Sequence, residues 1–128
     1  MKKQIKIGDR VIGAGYPPYV IAEMSANHNG DINAAYSIIE AAKLSGADAV
    51  KIQTYTPDTI TLNSKTKDFV INGGLWDGRT LHDLYEEAHT PWDWHKPLFD
   101  HARKVGITIF SSPFDTTAVD LLEELGAP

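Results

Sequence analysis

The stretch from Tyr19 to Thr54 restricts the possible folds more than any other part of this chain. Two short apolar runs, YVIAEM and ADAVKIQT, flank one amphipathic segment, and each run is accompanied by polar residues capable of chemistry. Runs of that length, bounded by turn residues, read as strands. The segment between them carries Ile32, Ala35, Ile38, Ile39 and Ala42 at helical spacing. Asp31 is placed to cap this helix and Gly46 to stop it. Strand, helix and strand in that order make a β-α-β unit, whose two strands pair in parallel through a crossover. In the second strand, Ala49 to Thr54, Val50 and Ile52 face one way while Lys51 and Gln53 face the other. A lysine and a glutamine on one face of a short, otherwise buried strand require a partner or a ligand.

The rest of the chain extends this unit. Residues 4 to 12 alternate apolar and polar positions around Gly8-Asp9, a pattern for a small hairpin. Pro17-Pro18 fixes an extended entry into the first strand of the unit, Tyr19 to Met24. Pro57 to His89 has the weakest periodicity, with TLHDLYEEA long enough for about two helical turns. A long excursion between regular elements is often functional. Thr90-Pro91 reads as a helix start, with Trp94, Leu98, His101, Ala102 and Val105 following at helical period and Gly106 ending it. Ile107 to Ser112 is a third strand, stopped by Pro113, and Asp115 caps a last helix whose apolar stripe is Ala118, Leu121, Leu122 and Leu125. The expected fold is α/β: an N-terminal hairpin and about three β-α units around a parallel sheet. Gly126-Ala127-Pro128 is the turn that should launch a fourth strand, so the expected architecture is unfinished within residues 1–128.

Bulk properties exclude several classes. With 128 residues, 42% of them hydrophobic and 23% charged, the composition is that of an ordinary globular domain. No apolar run approaches the roughly 20 residues that a bilayer span needs. MKKQIKIGDR lacks the apolar core of a secretory signal, and a cytoplasmic location is expected. There is no cysteine, which removes disulfides and thiolate ligands. A formal charge of −5 argues against nucleic acid as partner. Neither Gly73-Gly74 nor Gly13-x-Gly15 continues into a phosphate-loop or dinucleotide fingerprint, so no nucleotide cofactor is expected.

In parallel α/β folds the ligand lies at the carboxyl ends of the strands. That rule collects Glu23, Asn27 and His28 after the first strand, Lys51, Gln53 and Thr54 in the second, and Ser111 and Ser112 at the end of the third. Glu23 is either half of a structural ion pair with Lys51 or a base or ligand-orienting acceptor. Lys51 with Gln53 suits a phosphate or carboxylate. Ser111 and Ser112 either satisfy backbone groups where the strand stops or serve as oxyanion donors. Asn27-His28-Asn29-Gly30 can be a plain helix-entry turn. His82, His89, His95 and His101 show no recognised ligand spacing and read as surface or packing residues. Trp92 and Trp94 point to different faces, one toward the core.

Three runs, IAEMSANHNGD, GADAVKIQTYTPDT and IFSSPFD, resemble in order and spacing the N-terminal part of the sialic-acid synthase family. Within that family, AEMSANHNG and GGLWDGRTLHDLYEEAHTPWDWH are more similar to the pseudaminic acid branch than to the N-acetylneuraminate branch. The resemblance covers essentially the whole chain. It implies the N-terminal portion of a (β/α)8 TIM barrel, residues 1–128 being part of the synthase domain, with the remaining barrel and a small antifreeze-like domain following in complete members. It also implies a condensation of phosphoenolpyruvate with a 2,4-diacetamido-trideoxy hexose, assisted by a divalent metal of the manganese or magnesium type. Alternatives are an N-acetylneuraminate synthase or a related phosphoenolpyruvate-dependent aldol-type synthase, or, for the piece alone, a non-catalytic self-associating unit.

Carried over by motif, Glu23 is the expected catalytic residue, and Lys51, Gln53 and Ser112 the expected phosphoenolpyruvate-binding residues. Asn27, Trp76, Asp77, Arg79 and Tyr85 are the expected sugar-binding set, Trp76 alternatively serving only as an apolar anchor in a packed lid. Metal ligands are expected beyond Pro128, so the chain is expected to hold a partial site and to be inactive alone. The complete protein is expected to pair as a homodimer.

Overall fold

A computed structural model of the chain describes residues 3–128. The chain opens with the hairpin β1 (Gln4–Ile7) and β2 (Arg10–Gly13), antiparallel with Ile7 opposite Arg10, so that Gly8-Asp9 is the whole turn. Gly8 alone takes a positive φ there, 56°, which is why glycine precedes aspartate: only the first central residue of such a tight turn is left-handed. The Arg10 guanidinium bonds the Asp48 carboxylate, and the second oxygen of Asp48 accepts from the Val20 amide at 2.7 Å. The hairpin is thereby tied to the start of the sheet.

Three parallel strands follow in sequence order: β3 (Ile21–Glu23), β4 (Ala49–Thr54) and β5 (Thr108–Pro113). β3 is shorter than the expected Tyr19–Met24, although Val20 O accepts from Asp48 N and Met24 N donates to Lys51 O at 2.9 Å, which continues the contact at both ends. The crossover from β3 to β4 is α1 (Ile32–Leu44), capped by Asp31 as expected, with Ala35, Ile39 and Ala42 buried. α4 (His95–Val105) crosses to β5, and α5 (Thr116–Glu124), capped by Asp115, returns along the sheet. One core unites Ala35, Ile39, Val50, Ile52, Leu98, Phe99, Ala102, Ile109 and Leu122. All of it lies on the helix side of the sheet.

The excursion after β4 is more ordered than its sequence implies. It holds α2 (Pro57–Ile60), a single 3-10 turn at Lys67–Phe69, and α3 (Leu81–Ala88), which starts at a Thr80 cap. The expected helix start at Thr90-Pro91 is corrected. Pro91 is extended (ψ 141°), a 3-10 turn occupies Trp92–Trp94, and α4 begins only at His95. Thr90 is turned inward toward His28 instead of capping a helix. Of the two tryptophans, Trp94 packs against the core and Trp92 remains 37% exposed.

Candidate functional site

Because β3, β4 and β5 pair in parallel without a slip, residues of like parity line up across the sheet. Glu23 stands opposite Lys51, Lys51 opposite Phe110, and Gln53 opposite Ser112. The face opposite to the helices therefore presents Glu23, Lys51, Gln53 and Ser112 together at the carboxyl ends of the strands. The Lys51 Nζ lies 2.7 Å from a Glu23 carboxylate oxygen, with the two side chains 33% and 43% exposed. A pair this open contributes only about 0–1 kcal/mol to stability. Its consequence is geometric: the carboxylate holds the ammonium over the sheet, and each group remains accessible to a ligand.

The loop between β3 and α1 is strained where it borders this face. Ser25 and Asn29 take left-handed conformations (φ 50° and 48°), which cost a non-glycine residue about 1–2 kcal/mol each, asparagine less. Such strain persists only where the surroundings hold it. Here Asn27 donates its amide to Met24 O at 2.8 Å, and the Gly30 N–H donates to His28 Nδ1 at 3.1 Å. His28 is fully buried, edge-on to Trp94 at 5.3 Å, with Nε2 facing Thr90 Oγ1 at 3.5 Å. Burial first, and the neighbouring His89 second, push its pKa down, so the neutral ring accepts at Nδ1 and donates at Nε2. His28 is a structural pin for the loop.

Of the expected sugar-binding residues, four are brought into one region but already have partners. Arg79 lies over the Trp76 ring at 5.2 Å and pairs with Glu87 at 2.7 Å. Asp77 accepts from Gly73 N at 2.6 Å. Tyr85 packs edge-on against Tyr55, centroids 5.5 Å apart. Trp76 and Glu87 join Ala26, Asn29 and Gly30 in lining a cleft of about 180 Å³, so the excursion and the β3–α1 loop share one depression. Asn27 is exposed and directed to the backbone of its own loop. A second cleft, of about 330 Å³ and lined by Gly8, Arg103, Ile107 and Pro128 among others, lies at the amino ends of the strands, the wrong end for this chemistry.

The two serines separate. Ser112 belongs to the open face, whereas Ser111 turns to the helix side, 2.5 Å from Thr54 Oγ1 and 3.1 Å from Ile52 O. Thr54 Oγ1 in turn meets His95 Nε2 at 2.8 Å, and His95 Nδ1 reaches Pro91 O and Trp92 O at 3.1 and 3.2 Å. Sequence reasoning missed this chain, and it also missed Tyr55, 3% exposed between Tyr85 and Phe114.

A group able to hold a cation also escaped the spacing rules. His82, Asp83 and Glu86 of α3 bring ligand atoms within 4.8 Å of one another. The signal was the four-residue step from His82 to Glu86, which places both on one helix face. One imidazole and two carboxylates form a hard donor set suited to a divalent ion. His82 Nε2 is engaged by Asp58 at 2.9 Å, and both carboxylates are exposed.

A family model described as the NeuB family matches residues 38–128. The pseudaminic acid synthase of Helicobacter pylori is 54% identical over 112 residues, covering 88% of this chain and 33% of that protein. An N,N'-diacetyllegionaminic acid synthase of Campylobacter jejuni is 39% identical over 108 residues, covering 84% of this chain and 32% of the relative. Among solved structures, the N-acetylneuraminic acid synthetase of Leptospira borgpetersenii, in complex with citrate, superposes with a TM-score of 0.79 at 28% identity, over 99% of this chain and 40% of the other. The chain spans about a third of the length of the curated relatives it matches.

Proposed function

The chain belongs to the NeuB family, and from that premise we propose that it is the first wall of a nonulosonic acid synthase barrel, condensing phosphoenolpyruvate with a 2,4-diacetamido-trideoxy hexose. The observation that carries this reading is the single sheet face on which Glu23 and Lys51 pair at 2.7 Å beside Gln53 and Ser112. Phosphoenolpyruvate is a compact polyanion. Lys51 supplies a fixed cation for it, while the Gln53 amide and the Ser112 hydroxyl supply neutral donors that stabilise charge growing on the departing phosphate. Glu23, next to the same ammonium, holds or moves a proton on the water that adds at C2, where phosphate then leaves with C–O cleavage. Trp76 and Arg79 offer a planar apolar and cationic wall to the acetamido sugar.

A divalent cation, when bound, polarises the sugar aldehyde. Its main ligands belong to residues outside 1–128, while His82, Asp83 and Glu86 are the donors of this chain that converge on a point. The complete protein pairs as a homodimer. Among the described residues no helix is long and apolar enough to cross a membrane.

The test uses the full-length protein carrying this chain, with Mn²⁺, phosphoenolpyruvate and either the diacetamido sugar or an N-acetylated hexosamine without the second acetamido group. Faster phosphate release with the diacetamido sugar is expected. Preference for the other sugar transfers the protein to the neuraminate-type reading, and no release with either rejects a condensing enzyme. Lys51→Ala is expected to raise KM for phosphoenolpyruvate at least about tenfold, since truncation of a charged contact costs about 1.5–3 kcal/mol.

A further inference from the structure

We propose that Ser111, Thr54 and His95 form a positioning relay that fixes the carboxyl ends of β4 and β5, and through them Gln53 and Ser112, for an anionic three-carbon substrate. The inference rests on the reading above and goes beyond it in assigning work to residues on the opposite face of the sheet.

The direction of the relay follows from donor counting. His95 Nδ1 faces two backbone carbonyls, Pro91 O at 3.1 Å and Trp92 O at 3.2 Å, and must carry the ring proton. Nε2 is then an acceptor, and the Thr54 hydroxyl, 2.8 Å away, donates to it. Having spent its only proton, Thr54 Oγ1 can only accept from Ser111 Oγ at 2.5 Å, and the single Ser111 proton is shared between Thr54 Oγ1 and Ile52 O at 3.1 Å. Every donation runs one way, from β5 through β4 to the backbone before α4. His95 and Thr54 are both fully buried, where a polar group without a partner costs about 1–3 kcal/mol, so the three groups hold one another in a single arrangement.

The relay acts where the backbone ladder between β4 and β5 ends. β5 ends at Pro113, opposite Thr54, and just past it the Phe114 N–H donates to Thr54 O at 3.2 Å. Gln53 and Ser112, the residues immediately before that point, are neighbours across the strands. Side-chain bonds one residue away, on the other face, add to that last ladder bond and place no contact of their own on the ligand face. Apolar residues could fill the same volume, but they would not specify the register of the strand ends.

The experiment compares Thr54→Val with Thr54→Ser in the full-length protein, measuring kcat, KM for phosphoenolpyruvate and the thermal midpoint. Thr54→Val keeps the shape and removes the hydroxyl; KM is expected to rise about tenfold, equivalent to ~1.4 kcal/mol, with kcat little changed and Thr54→Ser restoring the wild-type value. Should Thr54→Val fail to fold, Ser111→Ala, which trims only the outer end of the relay, is expected to raise KM about threefold, or roughly half that energy. An unchanged KM in whichever variant folds, with activity lost only in proportion to folded protein, overturns the relay. A wild type that neither binds nor turns over phosphoenolpyruvate overturns the functional reading and the relay's purpose with it, a result distinct from the first.

Discussion

His28 and His95 show how strongly a side chain's surroundings outweigh its type. Both rings are buried, and burial is the main cause of their lowered pKa; in His95 it acts against the carbonyls of Pro91 and Trp92, which favour the charged ring. The unfolded chain takes up these protons near the ordinary value of 6.5, whereas the folded chain resists them until lower pH. The sign follows from linkage: the unfolded state binds more protons below 6.5, so stability falls as pH drops through that value and is unaffected by these groups above it. Chemical denaturation between pH 7.5 and 5.5 should therefore lose up to about 1.4 kcal/mol per pH unit for each histidine. A flat profile would show that the two rings are not held neutral. The sequence leaves His95 among the surface or packing residues; which of the two α4 histidines, His95 or His101, is fully buried depends on the rotational phase of that helix, and the 3-10 turn before it sets that phase.

The three helices that pack on the sheet, α1, α4 and α5, end by one device. After α4, Gly106 takes φ 78°, its amide donates to Arg103 O, and Ile107 N reaches back to Ala102 O at 3.0 Å. The same pair of bonds closes α1 through Ala47 and α5 through Ala127, and in each case the residue after the glycine turns the chain toward the amino end of the sheet. A Cβ at Gly106 would meet only the Lys43 ammonium at 3.9 Å, so Gly106→Ala carries backbone strain without a clash. The expected cost is about 1–2 kcal/mol in the thermal or denaturant midpoint; no loss would mean that the turn relaxes to another form. These stops, and the aspartate caps at Asp31 and Asp115, were legible in the sequence because each depends on neighbours within a few residues. The start of α4 was not, because Thr90 engages His28, a residue 62 positions away, instead of its own helix.

For the molecule as a whole, the decisive feature is a parallel sheet covered by helices on one face only. Parallel sheets are ordinarily buried on both faces, yet here Ile21 is 45% exposed on the open side, and among the described residues β3 and β5 each lack an outer neighbour. That open face carries the proposed phosphoenolpyruvate residues. The 128-residue chain by itself is expected to release no phosphate from phosphoenolpyruvate with the sugar and Mn²⁺, and to self-associate through its unpaired edges in sedimentation. Turnover by the isolated chain, or a monodisperse monomer with protected strands, would show that the remaining wall is unnecessary for chemistry or for folding.

The amino-acid sequence alone determined the order of the strands and the longer helices, the Asp31 and Asp115 caps, the glycine stops at Gly46 and Gly106, and the opposition of Lys51 and Gln53 to Val50 and Ile52, since these follow from local periodicity and turn chemistry. It also offered both readings of Glu23, and the ion pair with Lys51 is present without excluding the chemical one. Only the tertiary structure separated Ser111 from Ser112, moved His95 into the core and brought Trp76 beside the β3–α1 loop. Those placements depend on strand register and on contacts across many residues of sequence, where small rotations decide which face a side chain joins.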